Sequence, residues 1–336
     1  MEINEALTYD DVLLLPQYSE IKSRVTISLE SYLGDVPFKL PIIASPMDTI
    51  TTSPMAASLD AAGGLGIIHR YNSIDTQCEH VGSLPADAMV GAAIGTSGDY
   101  LERATALVNT GVTLLCIDVA HGHHILMKEA LRKLRVTLGN KVHIMAGNVA
   151  TLEGYNDLVD WGADSVRCNI GGGSICSTRV QTGHGLPGLQ TILDCARSDR
   201  DAPIIADGGL RNSGDIVKAL AAGAHFVMLG SLLSGTDEAP GSVITTRKGK
   251  FKTYRGMASK DAQVDWRGKA ASLEGIATTV SYKGPVARVL TELERGIRSG
   301  FSYSGARTLK ELQNNATFIR QTGSGRLESD THILKR

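Results

Sequence analysis

Eight short apolar runs recur along the chain, and helix-length segments of mixed polarity separate them. The runs lie at residues 41–45, 65–69, 89–95, 113–118, 142–147, 165–170, 203–207 and 225–230. Their consecutive apolar positions are typical of parallel strands that are buried on both faces. Strands and helices alternating in this way predict an α/β fold of the (β/α)8 TIM-barrel type, and the alternative is an open doubly wound sheet.

Polar and glycine-rich clusters follow these runs rather than precede them. The clusters are SPMD at 45–48, HRYN at 69–72, DVAHGHH at 118–124, GNVAT at 147–151, NIGGGSIC at 169–176, DGGLRNSGD at 207–215 and GS at 230–231. A barrel places its active site at the carboxyl ends of its strands. We therefore expect all seven clusters to meet at one mouth.

The segment 236–282 interrupts the barrel rhythm with many charged and small residues. We predict that it is a flap insertion at the C-terminal face, with a β-hairpin near 244–254 followed by a flap. Because no long linker is found elsewhere, residues 1–336 are expected to form a single barrel domain.

Composition and charge narrow the choice of partner and compartment. Lys plus Arg is 34 against 35 Asp plus Glu, so no basic excess favours nucleic acid or an anionic membrane. No apolar run approaches the ~18 residues of a membrane span. Five dispersed cysteines without a CxxC pair indicate reduced thiols, and the acidic start lacks a signal pattern, so a cytoplasmic location is expected.

The cluster at 169–176 contains the best candidate for a nucleophile. Cys176 follows three consecutive glycines, which let the main chain turn sharply close to a ligand or cation. Thr178 and Arg179 stand nearby, and a thiol on a mobile loop beside a cation can react as a thiolate. We interpret the other four cysteines as buried and inert.

The ends of the seventh and eighth runs suggest a phosphate site. Gly209, Gly230 and Ser231 could offer main-chain N–H groups to a phosphate, and Asp207 could accept from a ribose hydroxyl pair. Plain turn glycines are the alternative. His121, His123 and His124 lack a carboxylate partner pattern, so we favour a loop near a cofactor over a metal site there.

Motifs spread over nearly the whole chain share one family resemblance. They are LTYDDVLLLP (7–16), PIIASPMDT (41–49), AGGLGIIHR (62–70), GAAIGT (91–96), IDVAHGH (117–123), AGNVAT (146–151), GGGSICSTR (171–179), IIADGGLRNSGDI (204–216), GAHFVMLGSLLSG (223–235), APG (239–241), YRGMAS (254–259) and EGI (274–276). Together they resemble the IMP dehydrogenase/GMP reductase family. The resemblance implies a (β/α)8 barrel that binds a purine nucleotide and a nicotinamide cofactor, usually as a homotetramer.

The resemblance also implies roles for individual residues. Cys176 would attack C2 of the purine to form a covalent thioimidate, and Thr178 with Glu274 would protonate a departing amine. The nucleotide would be held by Ser45, Met47, Ser174, Asp207, Gly209, Gly230, Ser231, Tyr254, Gly256, Met257 and Ala258. The nicotinamide side would be lined by Asp118, Ala120, Asn148 and Asn169. The carbonyls of Gly171, Gly173 and Cys176 resemble the family's loop for a monovalent cation, expected to be K⁺.

The flap decides which of the family's two reactions we expect. A dehydrogenase of this family takes a hydride from IMP with NAD and hydrolyses the adduct to XMP, and its water is activated by an Arg-Tyr pair on a long flap. Here the flap 257–274 is short and contains Arg267 but no tyrosine. We therefore expect NADPH-dependent reductive deamination of GMP to IMP. IMP dehydrogenase is the alternative, and a non-catalytic purine-binding barrel is a more distant one.

Other features divide between the two reactions. The segment 302–320 resembles reductases, whereas TYDDVLLLP, SPMDTIT, GTDEAPG and YRGM look like dehydrogenases. About twenty residues separate Arg70 from Gly91, which leaves no room for a regulatory domain pair. Asn169 stands where the family usually has glycine, and Ala258, His184 and Gly188 are further departures.

Overall fold

The computed structural model describes residues 3–331, which begin with short elements ahead of the barrel. These are two 3-10 helices, Tyr9–Asp11 and Arg24–Thr26, and strands β1 (Val12–Leu14), β2 (Ser31–Leu33) and β3 (Val36–Phe38). β2 and β3 form an antiparallel hairpin. Its Phe38 ring meets Phe226 edge-on with 5.6 Å between centroids, so the hairpin plugs the N-terminal end of the barrel.

Eight parallel strands close into a barrel. They are β4 (Ile42–Ala44), β5 (Leu65–Ile68), β6 (Val90–Ile94), β7 (Leu114–Asp118), β8 (His143–Val149), β9 (Ser165–Cys168), β10 (Ile204–Asp207) and β11 (Phe226–Leu229). β11 pairs with β4 and so closes the ring. The predicted (β/α)8 barrel is confirmed and the open-sheet alternative is wrong. β8 extends past the predicted end at residue 147, because a register shift lets Val149 still pair with β9.

Helices between the strands cover the outside of the barrel. They are α1 (Ser53–Ala61), α2 (Ile74–Gly82), α3 (Tyr100–Thr110), α4 (Ile125–Leu138), α5 (Leu152–Asp160), α7 (Gly188–Cys195) and α8 (Ser213–Ala221). The short helix α6 (Thr178–Thr182) instead lies at the mouth, after the carboxyl end of β9. Side chains of Ser73, Thr151 and Asn212 cap the first turns of α2, α5 and α8. Gly111 ends α3 with a φ of 99°, a conformation that favours glycine.

The insertion between β11 and the last helices has a sheet of its own. β12 (Ile244–Thr246) and β13 (Gly249–Arg255) form the predicted hairpin, α9 (Lys260–Arg267) follows, and β14 (Ala277–Ser281) pairs with β13. Sequence reasoning missed β14, because its residues are mostly exposed and show no buried apolar face. This sheet carries α9 and the segment before β14 over the barrel mouth.

The C-terminal part returns to the outside of the barrel. It consists of α10 (Val286–Tyr303), α11 (Leu309–Asn315), β15 (Phe318–Arg320), which pairs with β1, and α12 (Gly323–Glu328). α10 packs on α8, and Gly300 allows a close approach because a Cβ there would lie 2.5 Å from Val217 Cγ2. Within residues 3–331, no helix is long and apolar enough to cross a bilayer.

We predict that Gly66→Ala destabilises the barrel. A Cβ at this position of β5 would lie 2.5 Å from the Cα of Ala56 in α1, so helix and strand would have to separate. Overpacking of this kind costs about 1–3 kcal/mol, and thermal unfolding should show a lower melting temperature. Gly323→Ala is the control, because none of the described residues has an atom within 4 Å of a Cβ at this position of α12. Equal melting temperatures for both variants would contradict the prediction.

Candidate active site

A cavity of about 770 Å³ opens at the carboxyl ends of the barrel strands, beneath the insertion. All residues that the sequence analysis assigned to catalysis, nucleotide, nicotinamide or cation line this cavity. The structure thus brings the predicted clusters together at one mouth. Sequence reasoning assigned no role to several further lining residues, namely Arg70, Tyr71, Arg103, Arg167 and Trp266.

Cys176 stands at one end of a short chain of polar contacts. Its thiol donates to Thr178 Oγ1 at 3.1 Å, and the Thr178 hydroxyl donates to Glu274 Oε2 at 2.8 Å. Main-chain contacts hold the two segments together, since Ser177 N donates to Glu274 O at 2.9 Å. The arrangement joins a soft nucleophile to a carboxylate through a hydroxyl, so a proton can pass between sulfur and carboxylate.

The Asn169 side chain lies between the end of β10 and the glycine-rich loop. Its backbone has a φ of 153°, which favours glycine, and its Nδ2 donates to the carbonyls of Asp207 at 2.9 Å and Gly208 at 3.3 Å. The side chain occupies the space under Gly172, where a Cβ would lie 2.1 Å from Nδ2. An asparagine at 169 therefore requires glycine at 172.

Two carboxylates at the strand ends share one buried guanidinium. Arg167 of β9 contacts Asp118 Oδ1 at 2.6 Å and Asp207 Oδ2 at 2.8 Å, and Asn148 Nδ2 donates to the same Asp207 oxygen at 2.7 Å. Burial disfavours the charge of Arg167, but the carboxylates outweigh it, and its pKa lies well above the usual value. The sequence signal that could have identified Arg167 is a charged residue inside an otherwise apolar strand.

Three side chains from two segments, the loop after β4 and strand β13, converge on Gly230. A Cβ at this glycine would lie 3.0 Å from Tyr254 Oη, 3.1 Å from Ser45 Oγ and 3.2 Å from Met47 Sδ. Ser45 Oγ is buried and has no hydrogen-bond partner within the described residues. Two hydroxyl groups beside a glycine can donate hydrogen bonds to an anionic group such as a phosphate.

The glycine-rich loop offers neutral oxygens next to a guanidinium. The Gly173 carbonyl accepts from Cys176 N at 3.1 Å, and Arg179 donates to the carbonyls of Ile170 and Leu186. Neutral carbonyls suit a monovalent cation better than a transition metal. Between residues 3 and 331, no group of three or more His, Cys, Asp and Glu side chains could hold a metal ion.

The predicted histidine cluster has other partners. His123 Nε2 lies 2.8 Å from Asp157 Oδ2, and His124 accepts from Leu126 N to cap α4. Burial lowers the pKa of His121. Of the three, none belongs to the cavity lining.

The insertion contacts two loops of the barrel, one through α9 and one through Arg255. Trp266 stacks on Tyr71 with 5.8 Å between centroids and 15° between planes, and the Arg267 guanidinium lies 5.9 Å from the Tyr71 centroid. Arg255 at the end of β13 binds both Asp48 and Asp265. Arg267 of the flap therefore lies beside a tyrosine, although the flap itself contains none. This tyrosine, Tyr71, belongs to the loop after β5.

The fold and the site define a class: a (β/α)8 barrel whose mouth carries a cysteine hydrogen-bonded through a threonine to a glutamate. Residues 6–332 match the family model described as IMP dehydrogenase / GMP reductase domain. The chain belongs to the IMP dehydrogenase/GMP reductase family.

Individual relatives carry both names. An inosine-5′-monophosphate dehydrogenase of Nitrosopumilus maritimus is 33% identical over an alignment of 472 positions, gaps included, which covers 99% of this chain and 99% of the relative. A GMP reductase of Leishmania major is 32% identical over 480, with 99% of this chain and 98% of the relative covered. The crystal structure of a GMP reductase variant from Trypanosoma brucei with guanosine 5′-monophosphate superimposes with a TM-score of 0.92, at 30% identity and 98% coverage of both chains. Because the identities to the dehydrogenase and to the reductases are so similar, they do not show which of the two reactions this chain carries out.

We predict that Gly172→Ala displaces the loop that carries Cys176. The added Cβ collides with the Asn169 amide, which two hydrogen bonds hold in place. Misplacing a reacting group by 1 Å costs about 10²-fold in rate, so the turnover number on the parent's own substrate should fall by that order. The double variant Asn169→Gly/Gly172→Ala removes the obstacle and should recover most of the rate. An equal loss in both backgrounds would disprove the steric coupling.

Proposed function

We propose that this enzyme is an NADPH-dependent GMP reductase, which converts GMP to IMP and ammonia through a thioimidate on Cys176. The observation that carries the proposal is the hydrogen-bonded chain from Cys176 through Thr178 to Glu274. A departing amine needs a proton, and a carboxyl group relayed by a hydroxyl can deliver one. The flap 257–274, which lacks a tyrosine, points the same way.

The cavity has the size and the polar groups for both ligands. Its volume of about 770 Å³ lies within the usual range of ligand sites. The hydroxyls of Ser45, Ser231 and Tyr254 would hold the nucleotide phosphate, and Asp207 the ribose. The carboxylate and amide groups of Asp118 and Asn148 suit the ribose hydroxyls and carboxamide of a nicotinamide cofactor.

The polar chain accounts for the protons of the reaction. As Cys176 Sγ bonds to C2 of the guanine, its proton passes through Thr178 to the carboxylate of Glu274. Glu274 returns that proton by the same route to the 2-amino group, which leaves as ammonia when its bond to C2 breaks. A bound NADPH supplies the hydride to C2. The C2–S bond then breaks to release IMP, and the Cys176 thiolate regains a proton from solvent.

The remaining parts of the proposal follow the family resemblance. The carbonyls of Gly171, Gly173 and Cys176 would bind a monovalent cation, K⁺, and the active form would be a homotetramer. Neutral main-chain oxygens are the donor type that such an ion requires.

The dehydrogenase reaction is the second candidate, and one contact favours it. Arg267 lies over the ring of Tyr71 beside the cavity, so an arginine from helix α9 and a tyrosine from the loop after β5 come together there. Such a pair could activate a water and hydrolyse the adduct of IMP to XMP, with NAD as the hydride acceptor.

A parallel assay separates the candidates. We expect GMP with NADPH to give IMP and ammonia over many turnovers. IMP with NAD should give at most one equivalent of NADH and then stall as the covalent adduct, since losing a general base costs about 10²–10⁴-fold. Cys176→Ala is the control, which should bind nucleotide without turnover. Steady XMP formation without ammonia from GMP would establish the dehydrogenase instead, and no turnover in either assay would favour a non-catalytic barrel.

Glu274→Gln should slow ammonia release far more than it weakens GMP binding. The amide keeps the shape and can still contact Thr178, but it cannot store and return a proton. We expect turnover to drop by about 10²–10⁴-fold, the usual value of general acid–base catalysis. Ammonia release and direct GMP titration measure the two effects.

Glu292→Gln on α10 is the matched control, because this glutamate is exposed and lies outside the cavity. If Glu274→Gln instead lost GMP affinity with an unchanged turnover number, Glu274 would serve only to bind the purine edge.

A further inference from the structure

Arg167 occupies the top layer of the barrel interior, between the two predicted ligand subsites. It is 5% exposed, and its side chain faces inward from β9. Nε and Nη2 donate to Asp207 Oδ2 at 3.1 and 2.8 Å, while Nη1 donates to Asp118 Oδ1 at 2.6 Å and to Cys116 Sγ at 3.4 Å. Four of its N–H groups are therefore engaged by protein atoms, out of the five that a guanidinium has.

The barrel makes room for this side chain. A Cβ at Gly147, its neighbour on β8, would lie 2.5 Å from Arg167 Cβ and 2.9 Å from its carbonyl oxygen. A charge buried this deeply is tolerated only with paired, well-directed partners. The two carboxylates are these partners, and the glycine beside Arg167 leaves the space that its side chain needs.

The contacts leave one oxygen of each carboxylate available. Among residues 3–331, the donors to the Asp207 carboxylate, Arg167 and Asn148, all contact Oδ2. The side-chain donor to Asp118 contacts Oδ1. Oδ1 of Asp207 and Oδ2 of Asp118 are thus free to accept from hydroxyl groups of ligands in the cavity that both residues line.

We propose that Arg167 is a positioning residue that orients Asp207 toward the ribose of the nucleotide and Asp118 toward the nicotinamide cofactor. One buried side chain, with its donors committed to protein groups, then sets the affinity for both ligands at once. The identity of the two ligands rests on the proposed function. The positioning role holds for either candidate reaction, because the reductase and the dehydrogenase would use the same two subsites.

Arg167→Lys tests the proposal with charge retained. The ammonium of a lysine lacks the forked shape that lets a guanidinium bind two carboxylates at once. Either Asp207 and Asp118 therefore each lose at least one charge-assisted hydrogen bond, or the ammonium alternates between them. We expect the affinities for GMP and for NADPH to fall about tenfold or more each, the cost of one hydrogen bond to a charged group. Direct titration of the purified full-length enzyme with each ligand, and with IMP and NAD, gives both values.

Double variants distinguish positioning from a general loss of structure. In the Asp207→Asn background, Arg167→Lys should cost little further GMP affinity, and in the Asp118→Asn background little further NADPH affinity. Additive losses in both backgrounds would overturn the proposal. Arg135→Lys is the matched control, because Arg135 pairs with Asp164 away from the cavity, and both affinities should stay as in the parent.

Asp118→Asn keeps the test decisive if Arg167→Lys does not fold. The neutral amide anchors Nη1 less strongly, so the guanidinium is held less firmly against Asp207 and GMP binding should weaken although Asp118 lies on the cofactor side. Unchanged GMP affinity in this variant would refute the positioning role. A parent enzyme that binds neither GMP nor IMP would instead contradict the proposed function, so the two failures are distinguishable.

Discussion

The pairing of β11 with β4 is the constraint on which the rest of the molecule depends, because it closes the barrel. Ser45 N donates to Leu229 O at 3.0 Å just beyond the last strand residues, so closure continues into the mouth. In an open sheet the carboxyl ends would lie along a line, and Ser45 would stand far from Gly230. The cavity is therefore a product of closure, and each loop contributes because its strand belongs to the ring.

Two systems of polar contacts meet at this mouth and are held in different ways. The ionic network of Arg167, Asp118 and Asp207 uses residues within strands, which the hydrogen-bonded ladders hold in place. The chain from Cys176 to Glu274 instead joins a loop to the insertion. The strand-borne network is therefore fixed by the barrel itself, whereas the contact between Thr178 and Glu274 depends on the position of the insertion.

The insertion carries the groups on which the choice of reaction depends. Glu274 precedes β14 and reaches Thr178, while Arg267 ends α9 and reaches Tyr71. Arg255 ties this region to the barrel through Asp48 and binds Asp265 within the insertion itself. Both candidate functions would use Cys176 for the covalent step, so the proposed difference between them is whether the insertion supplies a proton to an amine or activates a water.

Local patterns were sufficient to predict the eight strands, the hairpin near 244–254 and the polar clusters that gather at the mouth, because strand burial, turn glycines and the polarity of strand ends are properties of neighbouring residues. The flap residues of the mouth, such as Glu274, were predicted only from the family resemblance. Local patterns did not reveal the partners of Arg167, the space that Asn169 takes from Gly172, or the contact of Arg267 with Tyr71. Each of these joins residues from different loops or strands, or depends on where a side chain points. Only barrel closure and the placement of the insertion decide such distances, since no local preference of the chain encodes them.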